Sequence, residues 1–192
     1  MSVDVYGALS EVKFKYSMNI LRSFADIQKL EKGAVYALPT DTVYGLSCAI
    51  DDEEAVAKIR ALKERDGAKP LIVLVATMRD VERCGVQLSP EHTAFLKRVW
   101  PGPVSVVCVQ KEPLLRHISQ TGTIAVRMPL REDLHAFLAR VGPIVSTSAN
   151  TAGKQPATTC AEVQAYFPEG ITAIVDTGVC DNPPSTVVQI LR

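Results

Sequence analysis

Four groups of residues carry side chains able to do chemistry, and each lies at the end of a stretch that reads as a strand or helix. The first is Thr40-Asp41-Thr42, two hydroxyls around a carboxylate. The second runs from Lys63 to Lys69 and holds three cations, Lys63, Arg65 and Lys69, within seven residues. The third joins Thr123 and Arg127 with the run Ser146-Thr147-Ser148-Ala149-Asn150, with Lys154 shortly after it. The fourth is Ser185-Thr186, with Arg192 at the end of the chain. Cations near Ser, Thr and Asn groups suit a polyanion such as a triphosphate. Arginine offers a planar fork to phosphate or carboxylate oxygens, lysine a mobile point charge, and hydroxyls and amides orient the ligand.

Each group also has a plainer reading. Cations at a helix end complement the helix dipole in solvent. Arg127 sits inside an apolar strand, so it needs a partner, and that partner could be a structural ion pair as well as a ligand. The Ser-Thr-Ser-Ala-Asn run could be a cap and a turn, and Asp41 could be a general base or a hydrogen-bonding support. The chain has no GxxxxGK[ST] loop, no GxGxxG loop and no GxSxG elbow, and Ser148 has no evident histidine partner. A nucleotide would have to be held by another framework.

The elements that position these residues follow from hydrophobic spacing. Ala34 to Leu38 is a short apolar run that reads as a strand, ended by Pro39. Gly45 allows a bend or close packing. Leu21, Phe24, Ile27 and Leu30, three apart, predict a helix over 21–31, stopped at Lys32-Gly33. The acidic run 51–54 and the apolar positions Val56, Ile59 and Leu62 predict a helix that delivers Lys63 and Arg65 at its end. Residues 70–75 read as a strand buried on both faces. Further strands are expected at 104–109, 123–128, 144–146, 171–175 and 185–191. Further helices are expected at 78–85, from Ser89-Pro90 to Trp100, at 134–141 and at 160–166. Short loops and alternating elements predict one α/β domain with a mixed sheet over residues 21–192, preceded by an N-terminal extension, 1–20.

With 192 residues and 47% hydrophobic content the chain can bury a sizeable core. Its formal net charge of zero excludes nucleic-acid binding driven by bulk charge. Five scattered cysteines without a CxxC pair, and three histidines that make no ligand spacing with them, predict reduced, packed thiols and no metal site. No apolar run is long enough to span a membrane and no signal peptide is evident, so the expected location is the cytoplasm.

Taken in order, PTDTVYGL (39–46), KxRxxxKPL (63–71), WPGPVSVV (100–107), AVRMP (125–129), STSAN (146–150) and STVV (185–188) resemble the YrdC/Sua5 family of threonylcarbamoyl-AMP synthases. Each motif alone is modest; the ordered set, over roughly Leu21 to Leu191, is specific. The resemblance implies a single-domain (TsaC-type) enzyme with a twisted α/β sheet flanked by helices, YrdC-like (DHBP synthase-like), and a concave basic cleft. The implied reaction joins L-threonine, bicarbonate and ATP into L-threonylcarbamoyl-AMP and pyrophosphate. The product supplies the t6A37 modification of tRNAs that read ANN codons, through a threonylcarbamoyl transferase of the TsaD/Kae1 type.

By resemblance, Thr42, Arg127, Ser146 and Ser185 lie on the threonine side. Lys63, Arg65, Lys69, Thr123, Ser148, Asn150, Lys154 and Arg192 lie on the ATP side, with Lys63, Arg65, Ser148 and Asn150 closest to the chemistry. Mg2+ is expected to ride on ATP, with no tightly bound metal or organic cofactor. Leu74 stands where longer members often have a histidine near threonine, and the resemblance is to the short, single-domain type. Two alternatives stay open: a non-catalytic RNA- or tRNA-binding module working through a local patch, and a related carbamoyl-adenylating activity. The threonine-side residues favour threonine over both.

Overall fold

The computed structural model describes residues 18–64, 71–110 and 115–190. Arg65, Lys69 and Arg192, and the expectations for residues 1–17, lie outside the described residues. Nine strands form one mixed sheet among the described residues. In chain order they are β1 (Asn19–Leu21), β2 (Tyr36–Pro39), β3 (Tyr44–Ala49), β4 (Ile72–Leu74), β5 (Val104–Val109), β6 (Thr123–Arg127), β7 (Ile144–Ser148), β8 (Ala173–Val175) and β9 (Thr186–Gln189). The spatial order is β1-β8-β2-β3-β7-β4-β6-β5-β9. β2/β3, β3/β7, β7/β4 and β6/β5 are antiparallel; β1/β8, β8/β2, β4/β6 and β5/β9 are parallel. Among the described residues five helices flank the sheet: α1 (Glu53–Leu62), α2 (Met78–Arg83), α3 (Pro90–Val99), α4 (Glu132–Val141) and α5 (Cys160–Tyr166).

The alternation of side chains along the strands divides the core in two. Ala37, Leu46, Val73, Val126 and Val145 point to one face and pack with Val56 and Ile59 of α1, Leu96 of α3 and Val163 of α5. Tyr36, Leu38, Leu74, Ile144 and Val175 point to the other face and pack with Leu134, Phe137 and Leu138 of α4. Strand β4 is buried on both faces, as its apolar run predicts. On the α4 face the register aligns Ser47, Ser146, Ile72, Ala125 and Val107 across five neighbouring strands. Ser47 and Ser146 are the polar part of that row, and Arg127 extends to the same face two residues along from Ala125.

Two sequence expectations need correction. The helix predicted over 21–31 is absent: Leu21 is extended in β1, paired with Val175, and only Phe24–Asp26 makes a 3-10 turn. Ser23 and Asp26 cap that turn reciprocally. The carbonyls of Phe24 and Ile27 accept hydrogen bonds from Arg140 of α4, both at 2.9 Å, and that of Phe24 also accepts the Ile27 N–H of the turn (3.3 Å). Phe24 and Ile27 are core residues under α4, with the Phe24 ring 5.3 Å from that of Phe137. The threefold apolar spacing thus reflects a tertiary contact instead of a helix face. The second correction concerns residues 44–49, which form the central strand β3 and make a hairpin with β2, with Pro39 paired to Tyr44. Gly33 takes a left-handed backbone at φ +71°, but with no α-helix before it among the described residues, it is not the helix stop its position predicts.

Candidate active site

The turn between β2 and β3 is built from its own hydroxyls. Thr40 N–H donates to the carbonyl of Val43 (3.3 Å), and Thr40 Oγ1 donates to the same carbonyl (2.8 Å). Thr40 Oγ1 also accepts Thr42 N–H (3.1 Å) and lies 2.9 Å from Thr42 Oγ1. A hydroxyl carries one hydrogen, and that of Thr40 is on Val43. The hydrogen between the two threonines therefore belongs to Thr42. The Thr42 oxygen also accepts from Arg127 Nη1 at 3.1 Å. What it presents beyond these contacts is acceptor capacity.

Arg127, the last residue of β6, is buried at 4% exposure. Its Nε donates to the carbonyl of Gly102 (3.2 Å), its Nη1 to Thr42, and its Nη2 to Asp41 in a buried ion pair. β3 and β6 are three places apart in the sheet. At the usual strand spacing they would lie about 14 Å apart, yet the β2–β3 turn meets Arg127 through Thr42 and Asp41. In register with Arg127 on β4 is the apolar Leu74.

Ser185 lies just before β9, and its hydroxyl is 2.8 Å from that of Ser105, which is fully buried on β5. β5 pairs with β6 through Val106↔Val126, one residue short of the Ser105–Arg127 level. Ser185 is thereby brought to the Arg127 end of β6. Ser146 accepts a hydrogen bond from Ser47 at 3.0 Å, and an added Cβ at Gly45 would meet Ser146 Oγ at 2.6 Å.

The second centre lies at the far end of β7. Lys63 follows α1 and is 1% exposed, so the solvated-helix-end reading does not apply to it. Its ammonium donates to the carbonyl of Ser148, and to the carbonyl and Oδ1 of Asn150, both at 3.0 Å. Asn150 Oδ1 also accepts from Ser148 Oγ (2.6 Å), while Nδ2 donates to the carbonyls of Thr151 (3.0 Å) and Lys154 (2.9 Å). Asn150 thus knits a loop whose far side carries the exposed Lys154. Glu64, directly after Lys63, holds a left-handed backbone at φ +49°, strained for a residue with a Cβ.

Of the predicted residues, Thr42 meets Arg127, and Lys63 meets Ser148 and Asn150. Thr123 stands apart from both pairs. It lies at the opposite end of β6 from Arg127, in a chain of hydroxyls with Thr121 (2.8 Å) and, beyond it, Ser119 (3.0 Å). Three supporting residues escaped the sequence reading. Ser105, a polar residue within an apolar strand, could have been singled out by the same reasoning as Arg127. Asn182 donates to the carbonyl of Asp41 (2.9 Å). Arg131 engages Asp133 with two nitrogens (2.7 and 3.1 Å), and also Thr40 O, Cys180 Sγ and Thr177 Oγ1. Asn182 has no local sequence signal, because its partner is distant in the chain; Arg131 has one near partner, Asp133, while Thr40, Cys180 and Thr177 are distant.

The Sua5/YciO/YrdC family model, described as "Telomere recombination", matches residues 28–192. A Chromohalobacter salexigens protein named threonylcarbamoyl-AMP synthase is 39% identical over 154 residues, covering 77% of this chain and 81% of that protein. The crystal structure of Pyrococcus abyssi Sua5 complexed with L-threonine is 31% identical with a TM-score of 0.82 and covers 91% of this chain. This chain spans about half of it, 54%. E. coli YciO shares the fold with a TM-score of 0.80 at 18% identity, over 92% of this chain and 91% of its own.

Proposed function

This chain belongs to the Sua5/YciO/YrdC family, and we propose that it is an L-threonylcarbamoyl-AMP synthase, joining L-threonine, bicarbonate and ATP with release of pyrophosphate. The observation that carries the reading is the Arg127–Thr42 contact. A guanidinium has five N–H groups, and three of those of Arg127 are engaged by Gly102, Thr42 and Asp41. One N–H on each terminal nitrogen has no partner among the described residues, a match in number for the two oxygens of an amino-acid carboxylate. Thr42 offers an acceptor for an amine or a hydroxyl, and Ser146 and Ser185 would complete the threonine side.

In the proposed reaction the threonine amine adds to bicarbonate, losing water, to give a carbamate. A carbamate oxygen attacks the α-phosphorus of ATP, forming the mixed anhydride as the bond to pyrophosphate breaks. The barrier is largely repulsion between anions, and clustered cations lower it. Lys63, Arg65 and Lys69 are assigned to the phosphates, with Mg2+ brought on ATP as part of the substrate. Ser148, Asn150, Thr123, Lys154 and Arg192 are assigned to the nucleotide. Lys63 supports this assignment by charge, since it places a buried cation against the 148–150 segment. The product would pass to a threonylcarbamoyl transferase of the TsaD/Kae1 type for t6A synthesis in the cytoplasm, with any direct contact to tRNA weak.

The test is pyrophosphate release from ATP by the purified protein. Release is expected to require both L-threonine and bicarbonate. Release that ignores threonine would overturn the reading and favour a related adenylating activity on another substrate.

A further inference from the structure

We propose that Asp41 is a positioning residue for amino-acid recognition, fixing the Arg127 guanidinium in the plane that receives the substrate carboxylate; this rests on the threonine reading above. Asp41 is engaged on every side. One carboxylate oxygen accepts from Arg127 Nη2 within a pair whose side chains are 5% and 9% exposed. The other accepts the backbone N–H of Leu130 at 3.0 Å, and its carbonyl accepts from Asn182 at 2.9 Å. One residue therefore ties together the β2–β3 turn, the end of β6, the entry to α4 and the loop that leads to Ser185.

Three contacts at three different nitrogens define the orientation of a planar group. Gly102 takes Nε, Thr42 takes Nη1 and Asp41 takes Nη2. Without the Asp41 contact the head could turn about the remaining two, and its two unengaged N–H groups would lose their direction. The pair has a second consequence. A buried guanidinium with no anion nearby is costly, and one already balanced by Asp41 can wait for substrate without a large penalty. With one oxygen on Arg127 and the other on Leu130, Asp41 supports the site. General-base catalysis, left open by the sequence, is not its role in this proposal.

Asp41→Asn removes the charge and places an NH2 donor where an acceptor is needed, with almost no change in shape. The experiment titrates L-threonine and ATP separately into wild type, Asp41→Asn and Asp41→Glu, with thermal melts to establish folding. Asp41→Asn is expected to weaken threonine binding tenfold or more and ATP binding less than twofold. Unchanged threonine affinity, or a parallel loss for both ligands, would overturn the proposal. If Asp41→Asn does not fold, Asp41→Glu retains the charge but displaces the carboxylate by one methylene. It is then expected to weaken threonine at least threefold with ATP unaffected, and wild-type affinity for threonine overturns the proposal. A wild type that binds no threonine would sink the functional reading alone. The positioning step then has its own readout, the exchange of the Arg127 side-chain N–H groups followed by NMR in the free protein. Exchange is expected to be tenfold or more faster in Asp41→Asn, and equal rates overturn the inference.

Discussion

At the scale of single residues, burial decides what the charged groups do. Lys63 ends a helix rich in charge and reads in sequence as a cation in solvent or on a phosphate. Its ammonium is buried on Ser148 and Asn150, which removes the solvent reading. Lys63→Ala would leave Asn150 Oδ1 with Ser148 alone and the Asn150 carbonyl without its ammonium partner. A buried acceptor left unsatisfied costs about 1–3 kcal/mol. We expect Lys63→Ala to lower stability by about 2 kcal/mol and to weaken ATP binding or turnover. Denaturant melts and nucleotide titrations check both, and wild-type values in both would reduce Lys63 to a spectator. Arg127 shows how far a sequence can go. The need for a partner was legible from an arginine in an apolar strand. Its identity was not, because Asp41 is 86 residues away. The sequence left ligand and ion pair as alternatives, whereas the structure has the ion pair and two further N–H groups beyond it.

At the scale of elements, the readable parts are those fixed by local chemistry. The caps at Asp52, Thr77 and Ser89 start α1, α2 and α3 close to where the sequence places them. The parts that failed are the segment 21–31, whose apolar residues serve a tertiary contact under α4, and β3, where the polar turn hid a hairpin. Gly45 belongs to β3, and its need for a missing side chain arises from β7, its neighbour in the sheet. A Cβ there would lie 2.6 Å from Ser146 Oγ and 3.4 Å from the Thr147 carbonyl. Gly45→Ala must rotate the Ser146 hydroxyl and break its 3.0 Å bond to Ser47. A loss of about 1–3 kcal/mol is expected from the overpacking. Ser146→Ala in the same chain removes the clashing oxygen, so the double variant should be more stable than the sum of the two single losses predicts. Additive losses in urea melts would show that the strand tolerates the methyl group and that close packing is not why glycine is there.

At the scale of the whole molecule, the core was the most legible feature, and its chemistry predicts a pH response. All five cysteines are free and buried, as their scatter through apolar segments suggests. Burial in apolar surroundings penalises a thiolate, and the nearby carboxylates of Asp52 and Asp80 add to this at Cys48 and Cys84. Cys48 and Cys84 are each pushed up to about 12, and Cys108 to about 11, from an ordinary value of 9.0. The unfolded chain begins to ionise these thiols near pH 9, while the fold keeps them neutral until pH 11–12. Their contribution to stability is therefore intact below pH 9 and is lost progressively as the pH rises toward 12. At about pH 10 the loss is on the order of 1 kcal/mol per thiol. Tyr44, also raised by burial, adds to the loss at higher pH. Urea melts at about pH 8 and pH 10 should show wild type losing several kcal/mol more than a variant with Cys48, Cys84 and Cys108 all replaced by alanine. The variant starts less stable because of the volume removed, so the quantity that decides is the slope against pH. Equal slopes would mean that the thiols ionise as readily in the fold as in the open chain, which the apolar packing around them on the α1 and α3 face of the sheet forbids.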